Sequence, residues 1–181
     1  MINRQIPQYP SVKILKHELF AGLKRMRILW VSARVIDKDL CKTTQLALAS
    51  GLTDAGHDLT LACPGKMNDE VGFKHIQLVQ SRVKGFQARS IAKEVNLINP
   101  NQDIILVDWQ LAGFLKSWLN KSKLPWYLVD RGPPANSGLM ARLQWRFWKK
   151  AWKMASWGMV VSSFHADFIF KKTGSTAVVD V

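Results

Sequence analysis

Residues 26–65, MRILWVSARVIDKDLCKTTQLALASGLTDAGHDLTLACPG, set an apolar run, a helical repeat and a second β-rich run in immediate succession. Arg27 to Val31 predicts a strand, and Thr43 to Ala55 carries apolar residues at helical spacing. Gly56-His57 punctuates the chain before Leu59-Thr60-Leu61. Two short strands joined across a helix pair in parallel, so this segment predicts a βαβ unit. The alternation continues. Strands are expected over Lys74 to Gln80, Asp103 to Val107, Trp126 to Val129 and Ser156 to Val161, with a new one opening at Ala177. Helices are expected over Phe86 to Leu97, Gln110 to Asn120, Met140 to Ala155 and Phe164 to Lys172, with the Asn99-Pro100-Asn101 turn as a breaker. Strictly alternating elements predict an α/β, Rossmann-like doubly wound parallel sheet in a single domain.

The apolar residues, 48% of the chain, are scattered in short runs, and none approaches the roughly 20 a bilayer-spanning helix needs. The first 25 residues contain neither the apolar core nor the small-residue cleavage site of a secretory signal, so a cytoplasmic protein is expected. Cys41 and Cys63 have no C-x-x-C partner and predict neither a zinc site nor a disulfide framework. No metal site is expected.

Charge adds a second constraint. Twenty-six Lys and Arg against 13 Asp and Glu give a net +13, which implies an acidic partner: nucleic acid, an anionic membrane surface or a phosphate-bearing substrate. Read as a helix, Met140 to Ala155 aligns Ala141, Trp145, Trp148, Trp152 and Ala155 in one stripe, with Arg142, Arg146, Lys149 and Lys153 beside it. Indoles next to cations suit a water–lipid boundary, making Arg142, Trp145, Arg146, Lys149 and Lys153 candidate membrane-facing residues. A second stripe of Met140, Phe147, Ala151 and Met154 suits ordinary packing on the sheet, and the sequence allows both readings. Residues 1–25 form a basic amphipathic extension, with Leu15, Leu19, Leu23 and Met26 on one helical face among lysines. Nucleic-acid binding is the alternative that charge and aromatic–basic interleaving allow, although no helix-turn-helix, zinc finger or RNP-type aromatic pair is present.

The phrases LASGLTDAGHDLTLACPG, DIILVDWQLAGFL, LPWYLVDRGPP and WGMVVSSFHADFIFKKTG, in this order, resemble the N-terminal domain of family-4 glycosyltransferases of the GT-B fold. The resemblance runs from residue 26 to the chain end, with 26–176 as the Rossmann-like domain and 177–181 as the start of a linker to a C-terminal domain. It implies transfer of a sugar from a nucleotide-sugar to an acceptor hydroxyl, lipid-linked or on an envelope glycan, in a cleft between two domains. The family's E-x7-E donor pair has no counterpart here, since Glu18, Glu70 and Glu94 stand too far apart. The nucleotide-sugar is therefore expected to bind mainly a second domain or partner subunit, with no cofactor held by this chain, which is incomplete as an enzyme. A split-transferase or non-catalytic subunit is the alternative.

Open α/β sheets bind ligands outside the carboxyl ends of their strands. That rule selects Ser32, Arg34, Asp108, Trp109, Arg131, Ser163 and His165 as candidate substrate contacts, and Asp130 as the candidate catalytic carboxylate. The family's glycine pair after the first strand is replaced by Asp37-Lys38-Asp39-Leu40-Cys41-Lys42, so Lys38 or Lys42 is the candidate contact to an anionic group there. Asp130 stands where many relatives present a His. Each residue also has a structural reading: Asp108 as a helix cap, Asp130 as a loop cap, Arg131 as a solvated charge, and His165 and His57 as packing groups. A dehydrogenase reading fails for want of G-x-G-x-x-G after the first strand.

Overall fold

The computed structural model describes residues 25–37, 42–67, 71–81, 86–98, 101–134 and 138–179. The expected N-terminal amphipathic segment up to residue 24 and the loop residues 38–41 lie outside the described residues. Twelve elements follow: β1 (Arg27–Val31), α1 (Lys42–Asp54), β2 (Asp58–Pro64), β3 (Lys74–Leu78), α2 (Gln87–Val95), β4 (Ile104–Asp108), α3 (Trp109–Ser122), β5 (Trp126–Asp130), α4 (Gly138–Met154), β6 (Gly158–Val160), α5 (Ser163–Thr173) and β7 (Val178–Val179). All neighbouring strands pair in parallel, in the order β3-β2-β1-β4-β5-β6-β7. The first described strand lies inside the sheet, the next two build outward to β3, and the chain then returns past β1 to build the other side. That reversal creates the switch point between β1 and β4.

Side-chain alternation assigns the two faces. Leu29, Val31, Ile105, Val107 and Leu128 point into one core with α2, α3, α4 and α5, while Ile28, Trp30, Leu59, Leu61 and Leu106 point into a second core with Ala49 of α1. Strands buried on both faces must be apolar along their length, which is why these runs were legible as strands. Each fully buried Leu or Ile contributes about 1.5–3 kcal/mol of transfer free energy.

Local signals fix the element ends. Gly56 takes φ 88°, a left-handed turn that suits glycine, and lets His57 N–H donate to the Leu52 carbonyl at 3.1 Å as α1 closes. His57 is buried and its Nδ1 accepts from Met26 N at 3.4 Å, tying that turn to the start of β1. Ser162 Oγ accepts from His165 N at 3.2 Å to cap α5, which ends at Gly174 with φ 74°.

Gly158, at the start of β6, is required by space rather than by backbone angle. An added Cβ would collide with the Trp152 ring and stand 3.2 Å from Leu128 Cβ. Trp152 cannot swing away, because it is 1% exposed and its indole N–H is bonded inside the core. Gly158→Ala is therefore expected to lower unfolding free energy by about 1–3 kcal/mol in urea titrations. A variant as stable as the wild type would contradict this packing.

Candidate functional site

β4 runs into α3 without an intervening loop, so Asp108 is both the last residue of the strand and the first flanking residue of the helix. Its carboxylate makes no capping bond to that helix. It turns instead across the switch point, where Oδ2 accepts from Ser32 Oγ at 2.7 Å and Oδ1 from Trp30 Nε1 at 3.1 Å, both from the end of β1. Arg131, just past β5, places Nη2 3.2 Å from the same Oδ2 and donates from Nη1 to Gln45 Oε1 at 3.4 Å. The guanidinium carbon lies 5.7 Å from the Trp30 ring centroid, a cation–π distance. Ser32 Oγ also accepts the N–H of Arg34 at 3.2 Å.

The Asp108 and Arg131 side chains are 2% and 6% exposed, so this is a buried ion pair at the carboxyl ends of the strands. Such a pair is held by its additional hydrogen bonds, which offset the cost of removing two charges from water. Two of the guanidinium's five N–H donors are engaged with Asp108 and Gln45. Gln45 is fully buried, and its Nε2 has no hydrogen-bond partner among the described residues. Sequence reasoning missed Gln45, although a signal was there: it lies four residues before buried Ala49, a polar amide in the inward row of α1.

Asp130 ends β5 and is the centre of a second, separate cluster. Oδ2 accepts from Trp148 Nε1 at 2.6 Å and Trp152 Nε1 at 2.8 Å, both from α4, while Oδ1 accepts from Gly132 N at 3.0 Å. His165 Nε2 lies 3.6 Å from Oδ2 and makes no hydrogen bond. The group is fully buried, with its accepting directions aimed at these donors. This is the loop-capping role, extended to two indoles, and the carboxylate does not face the edge as a catalytic base would. Desolvation pushes its pKa above the ordinary carboxylate value, against the opposing pull of its hydrogen bonds and of His165.

An acid whose folded pKa is raised binds its proton more tightly in the folded state. Its contribution to stability is thus fullest below the unfolded value near 4 and declines as pH rises towards the folded value. The unfolding free-energy difference between wild type and Asp130→Asn is expected to shift against the wild type as pH rises from about 4 towards neutrality. A shift in the opposite direction would contradict the desolvated setting.

The remaining expected residues are dispersed. Trp109 is 8% exposed and packs in the core, Arg34 is half-buried beside Ser32, and Ser163 is exposed in the first turn of α5. His165 belongs to the Asp130 cluster and not to that of Asp108. The Lys42 side chain lies outside the described residues.

The tryptophan stripe of α4 is corrected by the structure. Trp148 and Trp152 are fully buried, and Trp145 is half-buried with its ring 5.3 Å from Trp148 and 6.0 Å from Phe168 in edge contacts. Its indole faces the core rather than a lipid boundary. Phe147, expected in the packing stripe, is 51% exposed and stacks on Phe114 of α3 at 6.3 Å. Arg142, Arg146, Lys149 and Lys153 are exposed as expected. Cys63 is buried, and burial pushes its thiol up to about 12, so it is a packing residue.

No family model matches the chain, and no curated protein does. Solved structures do. UGT2 of Phytolacca americana, complexed with UDP-2-fluoro-glucose and pterostilbene, aligns over 88% of this chain with a TM-score of 0.60 and 10% identity. A UGT of Glycyrrhiza uralensis bound to glycyrrhetinic acid 3-O-monoglucuronide aligns over 85% with a TM-score of 0.59 and 8% identity. An alpha-glucosyltransferase in complex with UDP and a 13-mer DNA aligns over 86% with a TM-score of 0.51 and 14% identity. The fold is that of one Rossmann-like half of a GT-B glycosyltransferase. This chain spans about half the length of these structures, 54%, 48% and 42% respectively. Among the described residues no helix is long and apolar enough to cross a membrane, and no group of three or more His, Cys, Asp or Glu could hold a metal ion.

Proposed function

We propose that this chain is the acceptor-side, N-terminal half of a family-4-like glycosyltransferase that moves a sugar from a nucleotide-sugar to a hydroxyl of a lipid-linked or envelope-glycan acceptor. The observation that carries this reading is the Ser32–Asp108–Arg131–Gln45 cluster, built where the strand order reverses in a fold shared with half of such enzymes. Arg131 offers its remaining N–H donors to an acceptor hydroxyl or phosphate, and Asp108 with Gln45 fixes the plane of that fork. Arg34 adjoins this cluster through its N–H to Ser32 Oγ. Asp130 serves the site from behind, by holding the start of the loop after β5 through Gly132 N. The donor nucleotide-sugar is assigned to a second domain, reached through β7, or to a partner subunit. The basic balance of the chain favours work at the inner face of an anionic membrane.

The test is label transfer by the whole natural polypeptide, with its second domain or partner subunit, from a panel of radiolabelled nucleotide-sugars into the lipid and polysaccharide fractions of its source cells. One donor is expected to label one fraction. Absence of transfer from every donor, by protein that is folded, would sink the proposal.

A further inference from the structure

With the tryptophans turned inward, α4 presents a different face outward. Leu139, Leu143 and Phe147 recur every four residues and are 73%, 40% and 51% exposed. Phe147 extends this row onto α3 by stacking on Phe114, which is 45% exposed. On the helix surface Arg142, Arg146 and Lys150 run along one side of the row, with Lys149 and Lys153 beyond them, and all five are exposed. None of these cations forms an ion pair among the described residues. α4 and α3 contain no acidic residue, and Lys116 and Lys121 of α3 are exposed as well. An apolar strip bordered by unneutralised cations remains on the surface.

We propose that this α3–α4 face docks on an anionic phospholipid bilayer, with Leu139, Leu143, Phe147 and Phe114 entering the headgroup–acyl boundary and the cations meeting lipid phosphates. The inference deepens the lipid-acceptor reading and rests on it for its biological sense, while its physical basis is the surface alone. A helix lying in the interface needs an apolar strip that enters and a basic border that stays with the headgroups. Charge complementarity favours an anionic leaflet. The leucines favour the bilayer over nucleic acid, because they give a phosphate backbone nothing and offer bases no ring, while the Phe147 and Phe114 rings stack on each other.

Flotation of the full chain with phosphatidylcholine vesicles, with and without phosphatidylglycerol, tests this directly. Binding is expected only with the anionic lipid, and Leu143→Ser with Phe147→Ser is expected to weaken it at least about tenfold at unchanged charge. Arg142→Glu with Arg146→Glu and Lys150→Glu is expected to abolish it, while Val79→Ser, 63% exposed just past β3 at the opposite edge of the sheet, is expected to bind as wild type. Unchanged melting temperatures keep the comparison valid, as all the replaced side chains are exposed. No vesicle binding, binding indifferent to the leucine–phenylalanine variant, or displacement from vesicles by a duplex oligonucleotide would each overturn the proposal. No sugar donor enters the assay, so its failure and a failure of label transfer are distinguishable.

Discussion

Asp130→Ala is expected to cost the domain about 3–5 kcal/mol, well beyond the loss expected for Gly158→Ala. Three donors depend on the carboxylate: the Trp148 and Trp152 indoles and the Gly132 amide. Removing it leaves two N–H groups inside a core where both tryptophans are nearly inaccessible, and each buried donor without a partner costs about 1–3 kcal/mol. The carboxylate also clamps α4 to the end of β5, so loosening should spread through both elements. Small domains have only about 5–15 kcal/mol to lose. Urea unfolding followed by tryptophan fluorescence gives the free energy, and near-ultraviolet circular dichroism reports the loosened indoles. Asp130→Asn retains one carbonyl acceptor and should fall between alanine and wild type. A loss under about 1 kcal/mol for the alanine variant would show that the carboxylate is not the clamp.

The arrangement explains which parts of the molecule were legible in the sequence. Strands such as Ile104–Asp108 and Trp126–Asp130 are buried on both faces, so their apolar character needed no tertiary information. Their last residues were harder to place. Both aspartates were expected beyond the strands, Asp108 as a cap or substrate contact and Asp130 as a cap or catalytic group, whereas each strand runs one residue further, with Asp108 at the sheet's edge and Asp130 turned onto the α4 indoles. What each carboxylate meets depends on residues distant in sequence: Trp30 and Ser32, 78 and 76 positions away, for Asp108, and Trp148 and Trp152 for Asp130. Periodicity could align the α4 tryptophans in a stripe but could not say that a buried carboxylate waited for their N–H groups. That partner decides the orientation, since a buried indole needs an acceptor. Gln45 repeats the pattern at the site, because its role emerges only with Arg131, 86 residues later.

Arg131 carries the largest functional expectation. Arg131→Ala would leave Asp108 buried without its counter-charge, at about 3–5 kcal/mol, so stability and binding would fall together. Arg131→Lys separates them. It keeps a positive charge for Asp108 but loses the planar fork that reaches Gln45 and lies over Trp30, and with it the outer N–H donors that the proposed function assigns to the acceptor. In the proposed transferase the lysine variant is expected to stay folded and to lose at least about tenfold in kcat/KM, since a binding group misplaced by an ångström can cost more than that. Gln45→Leu removes the partner of Nη1 and should give a smaller loss in the same direction.

The measurement that bears most directly on the proposed acceptor-side role is the pair of KM values, for nucleotide-sugar and for acceptor, in the proposed full-length transferase and in its Arg131→Lys variant. The acceptor KM is predicted to rise about tenfold or more with the donor KM unchanged. A rise confined to the donor KM would contradict the account, because it would place the sugar nucleotide, not the acceptor, against the Ser32–Asp108–Arg131 edge.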